Sequence, residues 1–190
     1  MTKYKIIDNY LNNVDFAELT SNFFPNSIAG VPTIGWNYNR EPVVVEEPDR
    51  FKKVTDIEIL NSKDNWALSH VVLAGAYQSP VLNLIITLIK KINPMAFFRI
   101  QANLSVQQEK RRRTLFHMDY DYKTIMTTSI FYVNTTNGPT ILEDGIEIEC
   151  RANRLISFPY ETYHAGVLCT DQHLRGVINL NYFQQSAEKT

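Results

Sequence analysis

"TIMTTSIFYVN", residues 124–134, is dense in β-branched and aromatic residues, which is the composition of a strand in a buried sheet. "TILEDGIEIEC" (140–150) predicts two more short strands joined by an Asp-Gly pair, a strong hairpin signal. "RANRLISFP" (151–159) and "LRGVINLNYF" (174–183) predict one strand each. Because no helical pattern separates these segments, this half of the chain is predicted to form an antiparallel sandwich or barrel.

Before residue 94 the pattern is helical. Residues 13–23, "NVDFAELTSNF", predict a short amphipathic helix. Residues 79–93 predict a longer one, in which Ser79 is the N-cap and an apolar stripe recurs at helical spacing. Residues 24–50 contain several prolines and predict irregular structure, with one short strand at "PVVVEE". The chain is therefore expected to be helical first and all-β afterwards.

The composition is that of an ordinary globular protein. Its 190 residues are 44% hydrophobic and 21% charged, and the formal net charge of −1 argues against a protein that coats nucleic acid. No apolar run reaches the roughly 18 residues of a membrane span, and the first residues lack the apolar core of a signal peptide. Cys150 and Cys169 do not make a disulfide framework, so we expect a cytoplasmic protein without membrane contact.

The polar residues His117 and Asp119 stand one residue apart in "TLFHMDYDY" (114–122). In a strand, residues two apart point to the same face, so both side chains can bind one metal ion. His164 follows the predicted strand "RLISFP" and is the best third ligand. Two histidines and one carboxylate are the usual set of a non-haem Fe(II) oxygenase. The H-x-D spacing alone is weak evidence, since a hydrogen-bonded pair at a strand end has the same pattern.

The last predicted strand supports the metal site. By the period-2 rule Arg175, Asn179 and Asn181 share one face of it, and the apolar Ile178 and Leu180 share the other. An arginine inside a barrel is costly unless an anion meets it, and a bound carboxylate fits the planar fork of a guanidinium. Tyr132, in the strand at 124–134, is predicted to donate a phenol hydrogen bond to the same carboxylate.

Residues from about 97 to 183 resemble the Fe(II)- and 2-oxoglutarate-dependent oxygenases, in particular the prolyl-4-hydroxylase-like branch of phages and bacteria. Five motifs carry the resemblance, in this order: "HMD", "SIFYVN", "NGPTILEDG", "NRLISFPYETYH" and "LRGVINLNYF". The resemblance implies a double-stranded β-helix, a cupin-like jelly roll, within a single oxygenase domain. Residues 94–185 would form that core, and residues 1–93 would form a helix-containing part packed on it.

The resemblance also implies the cofactors and their ligands. Fe(II) would lie on His117, Asp119 and His164, and no catalytic residue beyond these is expected. The distal carboxylate of 2-oxoglutarate would lie on Arg175 with help from Tyr132. O2 would be the second co-substrate, and the products would be a hydroxylated amino-acid side chain, succinate and CO2. Because Asp119 occupies the position that is a small residue in related halogenases, the expected outcome is hydroxylation, or demethylation through hydroxylation.

The chain departs from the family pattern at three places. Asn179 stands where relatives often carry a hydroxyl residue, and it is a further expected pocket residue. In "FFRIQANL" no tyrosine is available to touch 2-oxoglutarate, so Asn103 or Gln101 would take its place, and we assign Asn103. The turn that often reads Gly-Gly-Thr is here the tripeptide 138–140, "GPT".

Several polar and aromatic features admit two interpretations. The basic run "EKRRR" (109–113) is either a solvated loop, which we favour, or an entrance that attracts an acidic substrate or nucleic acid. His173 and His70 are interpreted as structural. Trp36 and Tyr38 would form either a lip over the pocket or part of an N-terminal cover.

Two alternatives to the amino-acid hydroxylase stay open on the sequence. One is the same chemistry on a nucleobase or a small metabolite, and the other is a non-enzymatic jelly-roll binding protein. The prime substrate is expected to be a peptide, a protein or a small molecule, with nucleic acid less favoured.

Overall fold

The computed structural model describes residues 3–24, 34–40, 47–61, 66–119 and 125–184. Within these ranges the elements are, in chain order, β1 (Lys5–Ile7), α1 (Asn13–Phe23), β2 (Asn37–Arg40), β3 (Trp66–Ala74), β4 (Tyr77–Gln78), α2 (Ile86–Ile92), β5 (Ala96–Val106), β6 (Thr127–Tyr132), β7 (Thr136–Leu142), β8 (Glu147–Cys150), β9 (Arg154–Pro159), β10 (His164–Gly166) and β11 (Leu174–Phe183). Across the described residues, no helix has both the length and the apolar character to span a membrane.

Two antiparallel sheets make up the fold. The larger sheet has the strand order β1-β9-β6-β11-β5-β3-β2, with β4 paired to β3, and the smaller has the order β10-β7-β8. Residues 114–117 extend the smaller sheet beside β10, since the Thr114 N–H donates to the Gly166 carbonyl at 2.9 Å. In the larger sheet most neighbouring strands are not consecutive in the chain, as in the expected jelly roll.

Alternation along β11 determines which face of the larger sheet packs in the apolar core and which faces the smaller sheet. Ile178 and Leu180 have no exposed surface, and they join Val81, Ile85 and Leu88 in one apolar core. The opposite face of β11 carries the polar residues and looks into the space between the two sheets. The period-2 expectation for this strand is therefore confirmed, and it directs Arg175 and Asn179 toward one cavity.

The helix at 13–23 is confirmed with the expected bounds. Its N-cap is Asn12, whose Oδ1 accepts from the N–H groups of Val14 and Asp15. The predicted helix at 79–93 is different, because Pro80–Ile85 forms a 3-10 segment and only Ile86–Ile92 is α-helical. The backbone of Ile85, with φ −114° and ψ 14°, leaves the α region and separates the two parts.

The expectation that the first half is helical is wrong in one respect. Four of its segments, β1, β2, β3 and β4, are strands of the larger sheet, and β3 lies directly against β5 in an antiparallel pair. β1 pairs with β9 and β3 pairs with β5, and both partners lie after residue 94, so a local pattern does not reveal these pairings. Most of the strand expected at "PVVVEE" (42–47) lies outside the described residues.

Candidate metal centre

His117, Asp119 and His164 converge at one end of the space between the sheets. His117 and His164 are opposite each other in an isolated antiparallel bridge, which brings their ring centroids to 4.6 Å. Asp119 Oδ1 lies 3.8 Å from His164 Nε2 and 4.0 Å from His117 Nε2. One ligand atom from each residue lies within 4.8 Å of the other two. The sequence prediction that these three residues meet is therefore matched by the geometry.

Backbone carbonyls orient both imidazole rings. His117 Nδ1 lies 3.0 Å from the Leu115 carbonyl oxygen, and His164 Nδ1 lies 3.2 Å from that of Thr162. Because a carbonyl oxygen can only accept, each ring holds its proton on Nδ1 and, when neutral, presents the lone pair of Nε2 to the centre. This is the arrangement in which proteins hold histidine ligands of metals.

Burial and neighbouring charges set the protonation of the centre. Burial, followed by the nearby His164, lowers the pKa of His117 to about 4. Burial alone would raise the pKa of Asp119, but the two histidines and a hydrogen bond from Asn181 outweigh it and hold that pKa below its ordinary value. At neutral pH the centre thus offers a neutral His117 and an ionised Asp119. Two imidazole nitrogens and one carboxylate oxygen on one side of a cavity fit an Fe(II) ion with open positions.

A cavity of about 370 Å³ adjoins the three ligands. Polar side chains of β5 and β11 line one wall, and apolar side chains of both sheets line the rest. The lining residues include Arg99, Gln101, Asn103, Ser105, Ile130, Thr140, Leu168, Arg175, Val177 and Asn179. The cavity is large enough for a small ligand beside a metal ion.

Arg175 lies in the wall of this cavity with only 7% of its surface exposed. Its Nε donates to the Gly138 carbonyl oxygen at 2.8 Å, and its Nη2 donates to Thr140 Oγ1 at 3.3 Å. Among the ion pairs found within the described residues, none joins Arg175 to a carboxylate. A buried guanidinium without a protein anion is costly, so this end of the cavity fits a ligand carboxylate.

No protein-family model and no curated protein matches this sequence. Solved structures do match. An oxidoreductase of the 2OG-Fe(II) oxygenase family from Burkholderia pseudomallei has a TM-score of 0.63 at 7% identity, covering 98% of this chain and 88% of that one. A prolyl hydroxylase from Trichoplax adhaerens, in complex with a hypoxia-inducible-factor peptide, has a TM-score of 0.60 at 15% identity, with coverages of 97% and 84%.

A third match is the epimerase SnoN of nogalamycin biosynthesis, in complex with Fe3+, α-ketoglutarate and nogalamycin RO. Its TM-score is 0.60 at 12% identity, with coverages of 96% of this chain and 79% of that one. The chain has the 2-oxoglutarate oxygenase fold. Within that fold, the remaining predicted site residues occupy the following places.

Tyr132 lies behind the cavity wall of this oxygenase fold rather than in it. Its side chain has no exposed surface, and its hydroxyl donates to Thr140 Oγ1 at 2.8 Å. The ring lies under Arg175, with the guanidinium carbon 5.7 Å from the ring centroid. Tyr132 thus supports both Arg175 and Thr140. Its expected direct hydrogen bond to a ligand carboxylate stays a prediction.

Thr140 is a cavity residue that the sequence did not single out. It lines the cavity, and its hydroxyl accepts from both Tyr132 and Arg175. Its own proton is then free to be donated into the cavity, since a hydroxyl has one donor. The available signal was the alternation in β7, which places Thr140 and Leu142 on one face.

Asn179 and Asn103 both line the cavity, as expected. Asn179 Oδ1 is buried and has no hydrogen-bond partner in the part of the chain that the structure describes. Asn103 Oδ1 accepts from Gln101 Nε2 at 2.7 Å, and Gln101 also lines the cavity. The two amides of β5 thus form one pair, so the alternatives considered for this strand are neighbours in the same wall.

The basic run at 109–113 is held by carboxylates of the same chain. Arg113, which is 1% exposed, forms two hydrogen bonds with Glu47, at 2.6 and 2.9 Å. Lys110 pairs with Glu58, and Arg111 pairs with Glu147 at 3.2 Å. The favoured interpretation of a solvated loop is wrong for Arg113, and these three charges are already matched without an acidic substrate or nucleic acid.

The remaining residues of the sequence analysis lie away from the cavity. His173 is exposed, and His70 is within hydrogen-bond distance of the Gly35 carbonyl and Ser79 Oγ. Trp36 packs edge-on against Phe23, and Tyr38 is 61% exposed. Neither aromatic is among the residues that line the cavity, so the lip interpretation gains no support. Tyr120 and Tyr122 lie outside the described residues.

Proposed function

We propose that this protein is a 2-oxoglutarate- and Fe(II)-dependent dioxygenase that hydroxylates an amino-acid side chain. One observation carries the proposal: the ligand atoms of His117, Asp119 and His164 share a cavity with the buried guanidinium of Arg175. A non-enzymatic jelly-roll protein has no need of a buried arginine that lacks an acidic partner, because such a charge destabilises the fold.

Each residue of the candidate site has a defined task in this proposal. His117, Asp119 and His164 hold Fe(II) through two nitrogens and one oxygen. Arg175 binds the distal carboxylate of 2-oxoglutarate through its guanidinium, and Thr140 donates its hydroxyl proton to the same group. The bound iron, 2-oxoglutarate and O2 together supply an oxidative decarboxylation to succinate and CO2 that is coupled to hydroxylation of a C–H bond.

The apolar part of the lining excludes water from this chemistry. Ile130, Val177 and Leu168 face the cavity beside the polar groups. A dry site strengthens the attraction between Arg175 and a carboxylate, and it protects reactive species from side reactions.

The charge pairing of the basic run favours an amino-acid side chain over a nucleobase as the substrate. Three of the four cations of the basic run, Lys110, Arg111 and Arg113, are each paired with a carboxylate of the chain, which leaves them less available to a nucleic-acid backbone. The Trichoplax prolyl hydroxylase binds a peptide and SnoN binds a small molecule, so a peptide and a free metabolite are both tested.

The decisive experiment measures succinate release from 2-oxoglutarate by the full chain with Fe(II). Slow release without a prime substrate is expected, as is stimulation by one member of a panel of peptides, free amino acids and oligonucleotides. His117→Ala should abolish release, whereas His173→Ala, which changes an exposed histidine, should retain it. The absence of release from the unaltered protein, or equal release from His117→Ala, would refute the oxygenase assignment.

A further inference from the structure

Asn181 is a fully buried residue of β11 that touches one of the metal ligands. Its Nδ2 donates to Asp119 Oδ2 at 2.6 Å and to Thr128 Oγ1 at 3.0 Å. Its exposed fraction is 0%, and its Oδ1 has no hydrogen-bond partner among the described residues. We propose that Asn181 is a positioning residue that restricts Asp119 to binding the metal through Oδ1 alone.

The geometry divides the two oxygens of Asp119 between two tasks. Oδ1 is the oxygen that lies 3.8 and 4.0 Å from the Nε2 atoms of His164 and His117. Oδ2 is the oxygen that Asn181 holds. A carboxylate whose second oxygen accepts a short hydrogen bond from a buried amide is held in one rotamer. Asp119 then occupies one position on the metal and leaves the adjacent position for a co-substrate.

The orientation of the Asn181 amide follows from its neighbours. In the opposite orientation Oδ1 would face Asp119 Oδ2, and two acceptors would repel each other. With Nδ2 toward Asp119, both amide protons are used, one on Asp119 and one on Thr128. The register of β11 on β6 pairs Asn181 with Thr128, so Thr128 anchors the amide from the neighbouring strand.

The unsatisfied Oδ1 indicates that this arrangement is kept at a cost in stability. A buried acceptor without a donor destabilises the folded state, and an apolar residue of similar size would avoid that cost. A polar residue at this place therefore serves Asp119 and not the packing of the sheet. This inference rests on the proposed metal centre, and it assigns a residue for which the sequence analysis offered no role.

The test compares Asn181→Leu with Ser129→Ala in the full chain, using Co(II) as a spectroscopic substitute for Fe(II). Leucine has a similar size and removes the donor. Ser129 is a matched control, because it is also fully buried and hydrogen-bonded but pairs with Ser157 and Tyr182 on the other face of the sheet. Co(II) affinity and the visible absorption of bound Co(II) are measured, and circular dichroism establishes folding.

Asn181→Leu is expected to weaken Co(II) binding roughly 10- to 100-fold, the usual effect of removing such an outer partner. Release of Oδ2 also allows Asp119 to bind through both oxygens, which should change the absorption of bound Co(II). Ser129→Ala should match the unaltered protein in both measurements. The inference is overturned if Asn181→Leu matches the unaltered protein in both measurements. It is also overturned if Ser129→Ala loses as much Co(II) affinity as Asn181→Leu.

Thr128→Val provides a second variant if Asn181→Leu does not fold. It removes the anchor of the amide and leaves Asn181 in place, so a smaller loss of Co(II) affinity is expected, and an unchanged affinity and absorption would overturn the inference. Failure of the unaltered protein to bind Co(II) would be a different result. It would refute the metal centre, and with it the proposed function, rather than the role of Asn181 alone.

Discussion

Arg113 and Glu47 form a buried ion pair, in which Arg113 Nη1 lies 2.6 Å from Glu47 Oε2 and the side chains are 1% and 2% exposed. Glu47 Oε2 also accepts from the backbone N–H of Phe116, the residue before His117, at 3.2 Å. The guanidinium carbon of Arg113 lies 4.9 Å from the centroid of the Phe116 ring. One glutamate therefore fixes the segment that delivers the first predicted ligand.

Glu47→Gln is expected to destabilise the protein by about 3–5 kcal/mol, because it leaves a buried charge without its partner. Urea denaturation measures this loss. Asp49→Asn, which changes an exposed ion pair with Lys52, is the matched control and should leave the free energy of unfolding nearly unchanged. Equal stability of the two variants would show that the Glu47 pair does not organise this segment.

Arg175→Lys is expected to weaken 2-oxoglutarate binding roughly 10- to 100-fold while metal affinity stays nearly constant. A lysine keeps the charge but loses the planar fork, and one hydrogen bond to a charged group is worth about 1.5–3 kcal/mol. Calorimetric titration of 2-oxoglutarate into the Mn(II)-loaded protein measures the effect. Arg111→Lys, at the surface, is the control. Unchanged 2-oxoglutarate affinity in Arg175→Lys would refute the assignment of this arginine.

Gly138→Ala is expected to destabilise the fold by about 1–3 kcal/mol and to weaken 2-oxoglutarate binding. A Cβ at this position would lie 2.4 Å from the Val167 carbonyl oxygen and 3.2 Å from Arg175 Cδ. Since the Gly138 carbonyl also accepts from Arg175, displacement of this backbone moves the guanidinium. Gly35→Ala is the control, because a Cβ there meets nothing within 4 Å. A Gly138→Ala variant as stable as Gly35→Ala would contradict the prediction.

The metal-free protein is expected to lose stability as the pH falls from about 6.5 toward 4. The pKa of His117 is lowered to about 4 in the folded state, chiefly by burial, whereas 6.5 is its ordinary value. Between these values the unfolded chain binds a proton that the folded chain does not. As the pH decreases, His117 therefore lowers the free energy of unfolding by up to about 3 kcal/mol.

His117→Gln should flatten this pH dependence when unfolding is followed in urea with a chelator present. His173→Gln, at an exposed position, should keep the slope of the unaltered protein. The same slope in His117→Gln and in the unaltered protein would show that burial does not hold His117 neutral.

The sequence alone determined the strand half of the fold and the choice of the three candidate metal ligands. Strict alternation in β11 directs Arg175, Asn179 and Asn181 to one face, and the Asp-Gly pair fixes the hairpin between β7 and β8, where Gly145 has a φ of +84°. These features depend on backbone geometry over a few residues. A short window of sequence contains all the information that they need.

Only the tertiary structure decided what each polar group contacts. The Tyr132 hydroxyl donates to Thr140. Glu47 neutralises Arg113, and Asn181 donates to Asp119. In each pair the partners lie on different strands or segments, and their distance depends on how the two sheets close. Burial then makes these contacts strong, because a polar group removed from water must find its partner within the protein. Neither closure nor burial can be read from alternation along a single strand.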